Sequence, residues 1–118
     1  MLKSEIHRGR LTGAEVEYEG SITMDRTLLE AADVLPGEQA HVLNMANGSR
    51  LVTCIIEAPT GPGTIMRNGP AARLGREGDE VVIPTYCEVE EQEARQFNHR
   101  VVFVDQNNRA RHPPKVPS

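Results

Sequence analysis

The chain has no tryptophan, two tyrosines, two phenylalanines and two cysteines, and it carries no excess of basic charge. Each shortage excludes something. With Tyr18, Tyr86, Phe97 and Phe103 as its only Phe, Tyr or Trp side chains and a net charge of −4, it offers neither a stacking platform nor an electrostatic footprint for nucleic acid. No stretch approaches the roughly 18 apolar residues of a membrane-spanning helix, so no membrane partner is expected. Met1 to Arg8 contains no apolar run of the kind a signal peptide carries, and a cytoplasmic protein is expected. Cys54 and Cys87 form no CxxC pair, and His7, His41, His99 and His112 are scattered, so no zinc-ligand spacing is present. In a cytosolic chain the two cysteines are expected as reduced, buried thiols.

What is present is 118 residues, enough for one core and one site. Apolar alternation dominates over helical spacing. Val16 and Tyr18 between Glu15, Glu17 and Glu19 predict a half-buried strand ending at Gly20. Asp25 reads as the N-cap of a short helix over residues 26–33, with Leu28, Leu29 and Ala32 on one face. Pro36-Gly37 turns the chain, and residues 40–45 and 50–57 predict two strands joined around Asn47-Gly48. Residues 58–63 are too rich in Pro and Gly for regular structure and lead through Thr64-Ile65-Met66 to a second Asn-Gly, then to a loop or helical turn over Pro70-Ala71-Ala72. The strongest strand signal covers residues 80–89, with Pro84 implying an edge or a bulge. Another strand is expected over 100–105, and the charge order of 90–97 suits a short helix between them. The chain from 107 to 118 is polar and proline-rich and reads as a flexible tail after a single domain over 1–106. Many short strands with one-turn helices suggest a small, mainly β barrel with helical insertions.

One local feature bears on chemistry. In Tyr18-Glu19-Gly20-Ser21 a strand runs into a glycine, whose backbone freedom can present its carbonyl to the hydroxyl of the following serine, so an internal acyl shift is conceivable. Taken alone, Gly-Ser is an ordinary turn dipeptide.

Taken together, several segments are similar to the pyruvoyl-dependent aspartate 1-decarboxylases: Ile6-His7-Arg8, Tyr18-Glu19-Gly20-Ser21 followed by Ile22-Thr23-Met24-Asp25, Asn47-Gly48-Ser49-Arg50 with Thr53, Asn68-Gly69-Pro70-Ala71-Ala72, and Gly78-Asp79-Glu80-Val81-Val82-Ile83. The match spans most of residues 1–106. The resemblance implies a double-psi β-barrel assembled as a homotetramer, made as a proenzyme that cuts itself between Gly20 and Ser21 into a β-chain (1–20) and an α-chain. It implies that Ser21 becomes an N-terminal pyruvoyl group, with neither a metal nor pyridoxal phosphate. That group binds the substrate amine as a Schiff base and withdraws the electrons released with carbon dioxide. The implied reaction is L-aspartate to β-alanine, a step towards pantothenate. Thr53 is implied in processing and substrate binding. Asn68 and the Gly69, Pro70, Ala71 and Ala72 stretch line the implied pocket, supported by Tyr18. Arg50 is implied to hold a substrate carboxylate, which suits the planar fork of a guanidinium. The resemblance also puts His7 near the site, at the substrate; without the resemblance, Arg50 reads as a solvated charge and His7 as a structural residue.

Two positions depart from the family pattern. Glu5 stands where the family has the lysine of its Lys-x-His-Arg motif. For charges about 4 Å apart at an effective dielectric near 20, each interaction is worth roughly 4 kcal/mol, so the inverted sign is a large change against a substrate carboxylate. Lys3, roughly 6–7 Å along the same strand face, is a candidate substitute. Cys54 stands where the family has its proton-donating tyrosine. A thiol is acidic enough to donate but shorter, so the donor is Cys54, a water in the vacated space or another side chain. Three readings follow: the aspartate decarboxylase, a paralogue acting on a different amino acid, and a non-cleaving barrel subunit.

Overall fold

The computed structural model describes residues 1–15, 21–69 and 75–111. The expected strand at Val16 and Tyr18, the cleavage residue Gly20 and the pocket residues Pro70, Ala71 and Ala72 lie outside the described residues. The elements run β1 (Leu2–Arg10), β2 (Gly13–Glu15), β3 (Ser21–Asp25), α1 (Arg26–Ala32), β4 (Gln39–Asn44), β5 (Arg50–Ala58), β6 (Ile65–Asn68), β7 (Glu80–Tyr86), α2 (Glu91–Ala94), β8 (Arg100–Val104) and β9 (Ala110–Arg111). No helix among the described residues is long and apolar enough to cross a membrane.

The strands hydrogen-bond in the order β2-β6-β3-β5-β4-β7-β1-β8-β9, a mixed sheet curled into a small, mainly β barrel. Its parallel pairs, β1 with β8, β2 with β6 and β3 with β5, join segments far apart in sequence. The inward faces supply a core that includes Ile6, Ile22, Met24, Val42, Ile65 and Val81, all essentially out of water. Two further contacts draw the first connection across the sheet: Leu11 N–H reaches Asp79 O at 2.9 Å and Thr12 N–H reaches Ile65 O at 2.8 Å. A Cβ at position 9 would lie 2.7 Å from Ile65 Cδ1, so any larger residue there displaces the end of that side chain.

α1 forms where expected. The Asp25 carboxylate accepts from Thr27 N–H at 2.7 Å, Leu28, Leu29 and Ala32 turn inward, and Asp33 closes the helix at φ 56°. The β4–β5 hairpin also forms, but Asn47-Gly48 is part of a longer turn in which Gly48 N–H bonds Asn44 O and Asn44 N–H bonds Ser49 O. Pro84 in β7 faces Glu5 of β1, beside a bulge between Leu2 and Ser4. The ladder to β4 on its other side involves only Val81 and Val82, so the missing N–H of Pro84 interrupts no β4 pairing.

Several expectations change. The strand expected over 80–89 ends at Tyr86, and the helix expected over 90–97 is four residues long and buries nothing. Thr64-Ile65-Met66, for which the sequence predicts no element, runs into β6, whose first two residues are Ile65 and Met66. The segment expected as tail from 107 is in place as far as Arg111. Asn108 is buried, its side chain bonds Arg10 N, Arg10 O and Gly63 O at 2.7–2.8 Å, and β9 pairs with β8. A buried amide with three backbone partners outweighs the polar composition around it. Neither cysteine is buried: Cys54 is exposed and Cys87 partly so, both as free thiols. Strand alternation explains Cys54, which shares the outward face of β5 with Arg50 and Val52.

Candidate active site

Ser21 opens β3, and its neighbours follow from the ladders on either side. On one side β3 runs antiparallel to β6 with Ser21 opposite Asn68. On the other it runs parallel to β5 with Ile22 beside Ile55, which places Ser21 next to Cys54 in register. Ser21 and Asn68 are both buried, at 3% and 0% exposure, although Ser21 begins its strand.

The Asn68 side chain ties the site together. Its Nδ2 donates to Ser21 Oγ at 2.8 Å and to Thr23 Oγ1 at 2.6 Å. One amide group thus donates to both hydroxyl oxygens and fixes the two side chains relative to one another. The Asn68 carbonyl oxygen is buried with no hydrogen-bond partner among the described residues. A buried, unsatisfied acceptor beside the serine is a ready position for a donor on a reacting group or a bound amine. Thr23, two residues after Ser21, is a site residue that the sequence did not single out. Its only sequence signal is the two-residue alternation that puts it on the Ser21 face.

The other expected residues are distributed differently. Thr53 is half-buried and pairs with Ala40, one residue back from Cys54. Gly69 follows Asn68 directly at φ 65°. Arg50 lies four residues from Cys54 on the same face of β5, about 13 Å along the strand. Its guanidinium contacts His41 Nδ1, at 2.9 Å from Nη2 and 3.3 Å from Nε. On β1, separated from β3 by three strands of the sheet, Glu5 and His7 share one face, with Glu5 Oε2 3.4 Å from His7 Nδ1. The His7 ring also packs edge-on to Phe103. Lys3 is held in an ion pair with Glu38, 2.7 and 3.0 Å from its two oxygens. The described residues thus join Ser21, Thr23 and Asn68 by hydrogen bonds, with Cys54 one residue before the Ile55 that pairs with Ile22, while Arg50, Glu5 and His7 stand elsewhere on the outer surface. No group of three or more His, Cys, Asp or Glu side chains among the described residues has the spacing of a metal site.

Next to Asn68, on the opposite face of β6, Arg67 is wholly buried. None of its guanidinium nitrogens has a hydrogen-bond partner among the described residues. Burial lowers its pKa and the Asp79 carboxylate opposes that shift. The ladder pairs Arg67 with the buried Ile22 and so turns it inward.

A family model described as aspartate decarboxylase matches residues 1–111. Among similar proteins, the aspartate 1-decarboxylase of Dehalococcoides mccartyi (strain ATCC BAA-2266 / KCTC 15142 / 195) is 50% identical over 109 residues, covering 92% of this chain and 88% of that one. That of Thermoanaerobacter pseudethanolicus is 48% identical, covering 92% and 93%. That of Caulobacter vibrioides is 48% identical over 108 residues, covering 92% of each chain.

Proposed function

We propose, from the premise that this chain belongs to the aspartate decarboxylase family, that it is a pyruvoyl-dependent carboxy-lyase converting L-aspartate to β-alanine and carbon dioxide. The observation that carries the reading is the buried Ser21 hydroxyl held by the Asn68 amide at the start of β3. That geometry fits the precursor of a pyruvoyl group. The serine is out of water, its oxygen is oriented by a neutral donor, and an unpaired acceptor stands beside it among the described residues. A pyruvoyl group formed from Ser21 after cleavage at Gly20 would supply the electron sink for decarboxylation.

The chain's own residues take the following parts. Asn68 fixes the Ser21 oxygen and shields it between β5 and β6. Thr23 shares the same amide and limits its rotation. Cys54, beside Ser21 in register and unpaired, is the candidate to give a proton to the substrate carbon that loses carbon dioxide, with Thr53 next to it. Arg50 holds a substrate carboxylate. Because Arg50 is about 13 Å along β5 from Cys54, the Arg50 that serves a given Ser21 comes from a neighbouring copy in a homotetramer. The half-exposed Val52 and Tyr86 side chains supply apolar surface for such an assembly.

A second reading is favoured by Glu5 and Lys3. The Lys3 ammonium is committed to Glu38, so it does not replace the family lysine at Glu5. A substrate with a neutral or cationic side chain suits the altered charge.

The test is intact mass measurement under denaturing conditions, with a hydrazine to trap a ketone, followed by assay of an amino-acid panel. Two fragments dividing at Gly20/Ser21, a trappable carbonyl on the larger, and β-alanine from L-aspartate are expected. Cleavage with turnover of another amino acid selects the second reading, and an uncut chain after prolonged warming overturns both in favour of a non-catalytic subunit.

A further inference from the structure

Arg50 pairs with Leu43 across the β4–β5 hairpin, so His41, two residues along β4, is its diagonal neighbour on the outer face. A guanidinium has no acceptor atom and does not lose its proton in proteins. The 2.9 Å and 3.3 Å contacts from Arg50 Nη2 and Nε therefore both end on a lone pair of His41 Nδ1. For both contacts to be hydrogen bonds, His41 Nδ1 must be the acceptor and the ring proton must sit on Nε2. Its ring is held in turn by Tyr86, edge to face with centroids 4.9 Å apart. The result is a chain of contacts in which Tyr86 packs against the ring and the ring accepts from the fork of Arg50.

We propose that His41 is a positioning residue for Arg50, aiming its guanidinium at a carboxylate of the amino-acid substrate, and that protonation of His41 releases it. The inference rests on Arg50 being the carboxylate-binding group of the proposed reaction. A proton on Nδ1 replaces the acceptor with a donor and brings two cations into contact, so the aimed state exists only with His41 neutral. The other groups facing His41 come from three places: Lys3 on β1, Glu38 just before β4, and Tyr86 and Cys87 at the end of β7, which with Gln39 surround a pocket of about 230 Å³. Lys3 and Glu38 neutralise one another at 2.7 Å, which leaves Arg50 as the cation that His41 senses directly. Between about pH 5 and pH 8 both carboxylates of aspartate stay ionised and its amine stays protonated, so an acid-side change in its binding reports on the protein.

The experiment measures KM and kcat for L-aspartate between about pH 5 and pH 8, the range in which histidine is the usual side chain to titrate. It compares the wild type with His41→Ala, His41→Phe, His41→Asn and Arg50→Ala. His41→Phe keeps a ring against Tyr86 but has no acceptor, whereas His41→Asn offers an amide oxygen in place of Nδ1 and does not titrate. His41→Ala and His41→Phe are expected to raise KM roughly threefold to tenfold with little change in kcat, the effect of one net hydrogen bond. The wild-type KM should rise towards acid pH, and His41→Asn should keep a low KM without that rise. If Arg50→Ala leaves KM unchanged, the reading of Arg50 beneath this inference fails. If Arg50→Ala raises KM but the His41 variants keep the wild-type KM and pH profile, the positioning role is overturned. A readout independent of turnover is the ¹⁵N NMR of His41, which is also accessible in uncleaved Ser21→Ala protein. It should show the Nε2–H tautomer with an acceptor shift at Nδ1 that Arg50→Ala abolishes, and an Nδ1–H tautomer would overturn the proposal.

Discussion

A guanidinium shut away from water without an acceptor is unfavourable by several kcal/mol, and breaking or mispairing a buried ion is usually worse than replacing it with an apolar side chain of similar volume. Among the described residues Arg67 is in that position, next to the residue that holds Ser21. Arg67→Met is therefore expected to be as stable as the wild type or more stable, by up to about 4 kcal/mol. Arg67→Gln, still polar in the same place, should show no such gain. Urea unfolding of the three proteins checks this. Asn68→Ala removes the donor from both Ser21 and Thr23 and should slow self-cleavage by about tenfold to a hundredfold, as followed by the appearance of the two fragments on a gel. Ser21, Asn68 and Cys54 were named at this scale because they sit in recognisable segments, and the first two are in hydrogen-bond contact. Thr23, His41 and Arg67 were not, since the role of each depends on the strand it faces and no residue spacing announces that partner.

At the scale of elements, the end of β3 and the start of α1 share one carboxylate. Asp25 caps α1 through Thr27 N–H and also accepts from Gly61 N–H and Gly63 N–H, at 3.0 and 2.8 Å. Burial works to raise its pKa, but the hydrogen bonds from Gly63, Thr27 and Gly61 together outweigh it and leave the carboxyl below its ordinary value of 3.8. A carboxylate whose pKa is lowered on folding stabilises the protein above its unfolded value, and that contribution is lost as the pH falls through the lowered folded value. Asp25→Asn should thus flatten the acid side of the stability curve, below about pH 4, in denaturation measured across pH. Asp25→Ala should cost about 1–2 kcal/mol for the cap alone and loosen the 61–63 turn as well. The cap was readable because an N-cap is a local pattern. β6 was not, because a four-residue run containing an arginine matches no strand template, and its status comes from the two strands between which it lies.

For the whole molecule, closure involves the segment that composition assigns to a tail. Asn108 fastens it to Arg10 and Gly63, and Gly63 has no room for a side chain because the Asn107 carbonyl lies against it. Asn108→Ala should destabilise the barrel by about 2 kcal/mol or more, since it leaves buried backbone groups unpaired. A chain ending after Gln106 should unfold at clearly lower urea concentration than one ending after Arg111, which keeps β9 and the Asn108 contacts.

The sequence by itself determined the alternation that makes this a mainly β protein, the capped helix α1, the hairpin between β4 and β5, and the segments by which the family is recognised. These depend on side-chain period, turn chemistry and residue identity, all of which act over a few neighbours. Only the tertiary structure decided that Ser21 meets Asn68, that Arg67 faces inward, that His41 meets Arg50, and that residues 107–111 belong to the barrel. Each of these turns on which strands pair and in which register. A shift of one residue reverses the face of every side chain along a strand, and the choice of partner is made by contacts between segments far apart in the chain.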